Sequence, residues 1–307
     1  MIVRDRPSGL KLFLTMRGSI LSRIWKSLVV TTVLAIMVTF THGALLDLKI
    51  TLTTIPFTLI GLPLAIFLGF RNNSAYDRYW EGRKLWGELV LRSRNLARQC
   101  LSLIGDGHEA SEIRSRMIHR AIAFAHALRH DLRGTDGGAD LKPLLGEEEW
   151  RLLAHASNKP YFLMLRMGED LRRCLNEGRI DRCLATNIDA TLSAMVAAAA
   201  SCERIRNTPI PFSYTLLLHR TAYLYCFLLP FGLVDTIGFM TPFVVAIVAY
   251  TFFGLDALGD EIEEPFGVCA NDLPLAAICR TIEIDLREAL GEDNVPAAIA
   301  PVDYCLI

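Results

Sequence analysis

No residue from Ile55 to Phe70 is charged, and the next one is Arg71, followed by Asn72, Asn73, Asp77, Arg78 and Glu81. A stretch that is apolar on every side and then abruptly polar is either a core helix that surfaces or a membrane span that ends. Composition favours the span. Mean hydropathy is +0.32 and 52% of residues are hydrophobic, yet 21% are charged, too many for a chain that lies wholly in lipid. Apolar and charged residues must therefore be segregated along the chain.

Four segments have the roughly 20 apolar residues that a bilayer core demands. They run roughly from Trp25 to Leu46, from Leu52 to Phe70, from Thr215 to Val234 and from Gly238 to Leu258. His219 and Arg220 interrupt the third, so its apolar run is short. Short connections join them in pairs, which makes two hairpins. Positive charge assigns the sides. Arg4, Arg6, Lys11, Arg17, Arg23 and Lys26 precede or open the first span, and Arg71, Arg78, Arg83 and Lys84 follow the second, whereas the intervening turn holds only Lys49. Both termini and the middle region are thus expected in the cytoplasm. The long charged leader, with no small-residue cleavage pattern after the apolar run, argues against a cleaved signal peptide.

The expected organisation is a cytoplasmic segment 1–24, a first membrane hairpin 25–70, a helical cytoplasmic region 71–214, a second hairpin 215–258 and a cytoplasmic segment 259–307. In the middle region, Leu85, Leu89, Leu96 and Leu103 recur at helical spacing. A second helix is expected with Ser111 as its cap, a surface loop over Gly134 to Asp140, and a third long helix from about Asp181, whose run Ala197 to Ala200 permits close backbone approach. No strand-like alternation competes. The fold class is all-α: four transmembrane helices per subunit plus a helical cytoplasmic region.

Net charge is −1, so no global basic field attracts nucleic acid. The eight cysteines contain no C-x-x-C pair, which argues against a zinc site or disulfide framework. His126 and His130 have a spacing able to bind a metal, but a packed or solvated helical face explains them better. Trp80 and Trp86 read as interface or core anchors. No nucleophile and base pair and no Gly-rich phosphate loop is present, and neither cofactor nor metal is expected.

The stretches Phe70 to Val90 ("FRNNSAYDRYWEGRKLWGELV"), Cys202 to Tyr214 ("CERIRNTPIPFSY") and Glu263 to Leu275 ("EEPFGVCANDLPL") together resemble the bestrophin family, specifically its prokaryotic branch. The resemblance implies a homopentameric channel in the bacterial inner membrane, with the second transmembrane helix lining a pore on the five-fold axis. It places the pore neck on Leu62, Ile66 and Phe70. Independently of the family, Leu59, Leu62, Ile66 and Phe70 share one helix face, which forms apolar rings around an axis or packs against neighbouring helices. The resemblance also implies a cytoplasmic aperture at Ile180, a residue that otherwise reads as a hydrophobic staple before a helix capped by Asp181. Asp181, beside it, is the candidate for charge selection. The animal branch has a calcium clasp after the matching "PFG"; here Asp272 is the only acid in "VCAND". Membrane lipid and small monovalent ions, with sodium favoured, are the expected partners. The alternatives are an anion (chloride) channel and a membrane-anchored enzyme or signalling scaffold.

Overall fold

The computed structural model describes residues 1–3, 9, 15–16, 18–42, 44–45, 48–49 and 52–307. Arg4, Arg6, Lys11, Arg17 and Leu46 lie outside the described residues, as does the side chain of Lys49. The described elements are α1 (Leu21–Phe40), β1 (Ala44–Leu45), β2 (Leu48–Lys49), α2 (Thr54–Leu103), α3 (His108–Arg133), α4 (Gly138–Leu141), α5 (Glu147–Ala154), α6 (Lys159–Asn176), α7 (Arg182–Asn207), α8 (Phe212–Ile237), a 3-10 turn (Gly238–Met240), α9 (Thr241–Glu263) and α10 (Leu275–Leu290). The all-α expectation holds, with a minimal antiparallel β1–β2 hairpin added in the first connection.

The chain divides into two compact units, Asp5–Tyr79 with Pro209–Glu264, and Met1–Arg4 with Trp80–Thr208 and Pro265–Ile307. The first unit packs α1, the first part of α2, α8 and α9 together. Its interior is built from small clusters: Ile24, Cys226, Ala249 and Phe253 in one, Ala35, Phe57, Leu229 and Val245 in another. Close approach is achieved by glycine. A Cβ on Gly232 of α8 would lie 2.2 Å from the Phe57 ring, and one on Gly259 of α9 would lie 2.5 Å from Asn72 Oδ1, so neither position admits alanine without displacement.

Among the described residues, four stretches are long and apolar enough to cross a membrane: Leu21–Phe40, Thr54–Leu103, Arg182–Asn207 and Phe212–Glu263. The last contains two of the expected spans, because Gly238 (φ 51°) breaks α8 from α9. The four expected spans are therefore α1, the start of α2, α8 and α9. The third, α7, meets the length and hydropathy criteria through its alanines, but it packs on α6 and α3 inside the second unit. The first span ends at Phe40, short of Leu46. Thr41 Oγ1 bonds back to the Met37 carbonyl at 3.0 Å, and His42 adopts φ 48°, which cannot continue a helix.

In the second unit α3 is the central helix, buried on nearly all sides from Met117 to Leu128 and flanked by α6 and α10. Arg116 and Arg120 reach Asp170 of α6 at 2.6 and 2.5 Å, and Arg120 also reaches Glu149 at 2.7 Å, so the charges within this helical core are paired. Two local expectations are corrected. Helix α3 begins at His108 after Gly107 (φ 123°), so Ser111 lies inside the first turn rather than at the cap. The loop after Gly134 is not wholly irregular, since Gly138–Leu141 closes a helical turn. The chain ends meet: Met1 exchanges backbone hydrogen bonds with Leu306, and the Val3 N–H donates to the Tyr304 carbonyl at 2.8 Å. Ile307 is held in turn by the Ala277 N–H of α10. The eight cysteines are free thiols, and burial pushes the Cys279 thiol up to about 12, which makes it inert.

Candidate pore-lining site

Helix α2 has two opposite faces within the first unit. At about 100° per residue, Phe57, Gly61, Leu64, Leu68, Arg71 and Ala75 fall within about 40° of one direction. All of them are buried; Leu64 is 3% exposed and Leu68 is fully enclosed, packed on Leu218 and Ala222 of α8. Diametrically opposite, also within about 40°, lie Ile55, Leu59, Leu62, Ile66 and Phe70. Leu62 is 67% exposed, Ile66 46% and Phe70 58%. The stripe that the spacing identifies is therefore largely exposed, and the packing within the first unit is made by the other face.

Pro56 and Pro63 act differently. Pro56 sits in the first turn of α2, where its missing N–H has no partner to lose. Pro63 is internal, and the donor it lacks would have met the carbonyl of Leu59, a residue of the exposed stripe.

The polar residues after Phe70 do not simply greet water. Arg71 turns into the unit, is fully buried, and donates to Asp256 of α9 at 2.8 Å and to the Asp256 carbonyl at 3.3 Å, with Asp260 as a further partner. Asn72 Nδ2 donates to the Leu255 carbonyl at 3.0 Å, and Arg78 Nε to the Glu263 carbonyl at 3.1 Å. His219 Nδ1 lies 2.6 Å from the second Asp256 oxygen, and Tyr214 donates to the Phe67 carbonyl at 3.1 Å. This network pins α2 to α8 and α9 just where the apolar stripe ends. Sequence reading missed it, although charged residues inside apolar spans (His219 in the third, Asp256 in the fourth) were its signal.

The remaining expected residues belong to the second unit. Ile180 is 6% exposed and closes the turn between α6 and α7, where the Arg179 carbonyl accepts from the Gly105 N–H at 2.8 Å. Asp181 caps α7, accepting from the Cys183 N–H at 2.7 Å. Asp272 likewise serves its own turn, accepting from the Cys269 N–H at 2.6 Å. Trp86 is enclosed and Trp80 half exposed.

His126 is buried 3.6 Å from Glu283 of α10, and His130 lies 2.8 Å from Asp140 of α4. Burial lowers His130 below the ordinary histidine value, against the hydrogen bond to Asp140. Burial alone would raise Asp140, but the bond from His130 and the charge of Arg129 outweigh it and hold the carboxyl low. These histidines thus belong to a helix-packing network. Among the described residues no group of three or more His, Cys, Asp or Glu is placed to hold a metal.

A helical fold with four apolar spans and a buried charge network at their ends defines an integral membrane protein. The family described as Bacterial/Fungal Bestrophin protein matches residues 1–288, and the chain belongs to it. The chain is 42% identical over 301 residues to the voltage-dependent anion channel-forming protein YneE of Escherichia coli K12, covering 98% of each. It is 45% identical over 304 residues to the voltage-dependent anion channel-forming protein mll4386 of Mesorhizobium japonicum, covering 99% of this chain and 96% of the other. A crystal structure of a bacterial bestrophin homologue from Klebsiella pneumoniae superposes with a TM-score of 0.84 at 38% identity, covering 88% of this chain and all of the other.

Proposed function

We propose that the chain is the subunit of an ion channel in a bacterial membrane. Five copies surround one axis, α2 turns its exposed stripe inward, and Leu62, Ile66 and Phe70 form stacked apolar rings that resist wetting and so gate flow. The family and its channel-named relatives are those of a channel rather than of an enzyme. The observation that carries the pore assignment is the exposure of the stripe opposite the packed face of α2. Other spans also turn apolar residues outward, as lipid contact requires, with Val30 of α1, Leu224 of α8 and Phe243 of α9 56%, 60% and 67% exposed; α2 differs in that its stripe leads on into the exposed polar residues Asn73 and Asp77. In this reading the membrane is the inner one, both termini are cytoplasmic, Ile180 narrows the cytoplasmic exit, and Asp181 contributes to charge selection. The permeant species are small monovalent ions, sodium among them.

A second reading, an anion channel, is favoured by the names of the YneE and mll4386 relatives. One experiment separates all of these. The purified protein is sized by light scattering in detergent and reconstituted into planar bilayers with asymmetric sodium chloride. Single-channel steps from a five-subunit ring support the channel, and the reversal potential gives the sign of the ion. A silent membrane favours a membrane-anchored scaffold.

A further inference from the structure

The sign of the permeant ion ought to be set by the first charge that an ion meets beyond the apolar rings, and the path of α2 identifies one. Continuing the stripe past Phe70 at about 100° per residue brings Asn73 and Asp77 to within about 20° of the direction of Ile66. Both are exposed, and among the described residues no hydrogen bond or ion pair reaches the Asp77 carboxylate. The basic residues nearest Phe70 point elsewhere, and Lys84 returns to the direction of Ile66 only seven residues beyond Asp77. Arg71 lies on the packed face, buried against Asp256 and Asp260. Arg78 is also turned well off the stripe, and its Nε is engaged by the Glu263 carbonyl. The first charge on the stripe is thus an anion, seven residues or about 10 Å beyond Phe70.

We infer that Asp77 is a selectivity-determining residue, a ring of carboxylates below the neck that admits cations and repels anions. The inference rests on the pore reading of α2. It differs from the role given to Asp181, whose carboxylate already caps α7. Five carboxylates within one screening length of the axis, about 10 Å at 0.1 M salt, bias the local ratio of sodium to chloride on the order of tenfold.

The test is the reversal potential of the reconstituted channel in asymmetric sodium chloride, for the unmodified protein, Asp77→Asn, Asp77→Glu and Asp77→Lys, together with the current through the Leu62→Ala/Ile66→Ala/Phe70→Ala variant. The expected result is a cation-selective channel whose sodium to chloride permeability ratio falls on the order of tenfold in Asp77→Asn, is kept by Asp77→Glu and moves further toward chloride in Asp77→Lys. A correctly sized Asp77→Asn channel with the reversal potential of the unmodified protein overturns the inference, as does chloride selectivity in the unmodified protein. If the alanine variant carries raised current while Asp77→Asn changes nothing, only the role of Asp77 fails. If neither changes anything, the pore reading itself fails.

Discussion

Two leucines on α2 allow the pore face and the packing face to be told apart by stability alone. Leu64 is 3% exposed among Leu68, Leu218 and Ala222, whereas Leu62, two residues away, is 67% exposed. Truncating Leu64 to alanine opens a cavity. At about 24 cal/mol per Å3 over the roughly 75 Å3 removed, the cavity part of the loss is about 2 kcal/mol. For Leu62, with about a third of its side chain covered, the same arithmetic gives about 0.6 kcal/mol. In detergent, where the apolar surroundings weaken the transfer part of the loss, the cavity part is the better guide. The assay is the thermal unfolding midpoint of each purified single mutant, paired with its single-channel current. Leu64→Ala should lower the midpoint clearly, and Leu62→Ala should leave it nearly unchanged while altering the current. Equal destabilisation by both, with unchanged current in Leu62→Ala, would refute the division of α2 into a structural and a conducting face.

Arg71→Met should destabilise the protein by about 3–5 kcal/mol, because it leaves the buried Asp256 carboxylate without its guanidinium; a midpoint like that of the unmodified protein would show that His219 suffices as a partner. Acidification should loosen the contact of α3 with α4. Asp140, held low, contributes stability that is lost as pH falls through its folded value, and His130, also held low, resists the charge that the unfolded chain accepts below about 6.5. The two effects have the same sign but different windows: His130 lowers the unfolding midpoint as pH falls below about 6.5, Asp140 lowers it only below about pH 4, and it is this second fall that should be smaller in Asp140→Asn. Ile180→Thr should raise conductance with little change in reversal potential, whereas Asp181→Asn should weaken any cation preference; the reverse pattern in asymmetric sodium chloride would exchange their roles.

Much of this architecture was legible in the residues. Length of apolar run located α1, α2, α8 and α9, and a period near four picked out Leu62, Ile66 and Phe70 as one face. Periodicity could not say which face was free, because Leu64 and Leu68 are as apolar as Leu62 and Ile66; only their contacts with α8 distinguish them. The fate of Arg71 was equally hidden. Next to an apolar span it reads as an interfacial residue, and its burial depends on Asp256 and Asp260, far along the chain. Nothing between Phe70 and Leu103 breaks a helix, so α2 runs on unbroken, and a separate cytoplasmic helix was an assumption rather than a signal. Residues 291–307, which carry no periodicity, find their place through backbone bonds to the amino terminus and α10 and through the ion pairs of Glu292 with His119 and Arg287.

The central claim, that the exposed stripe of α2 is the gate of a pore, is tested most directly by single-channel recording of the Leu62→Ala/Ile66→Ala/Phe70→Ala protein against the unmodified one in symmetric sodium chloride. Widening three apolar rings eases their wetting, so conductance or open probability should rise. Currents identical to those of the unmodified protein, from a variant that still sizes as an intact ring, would contradict the claim.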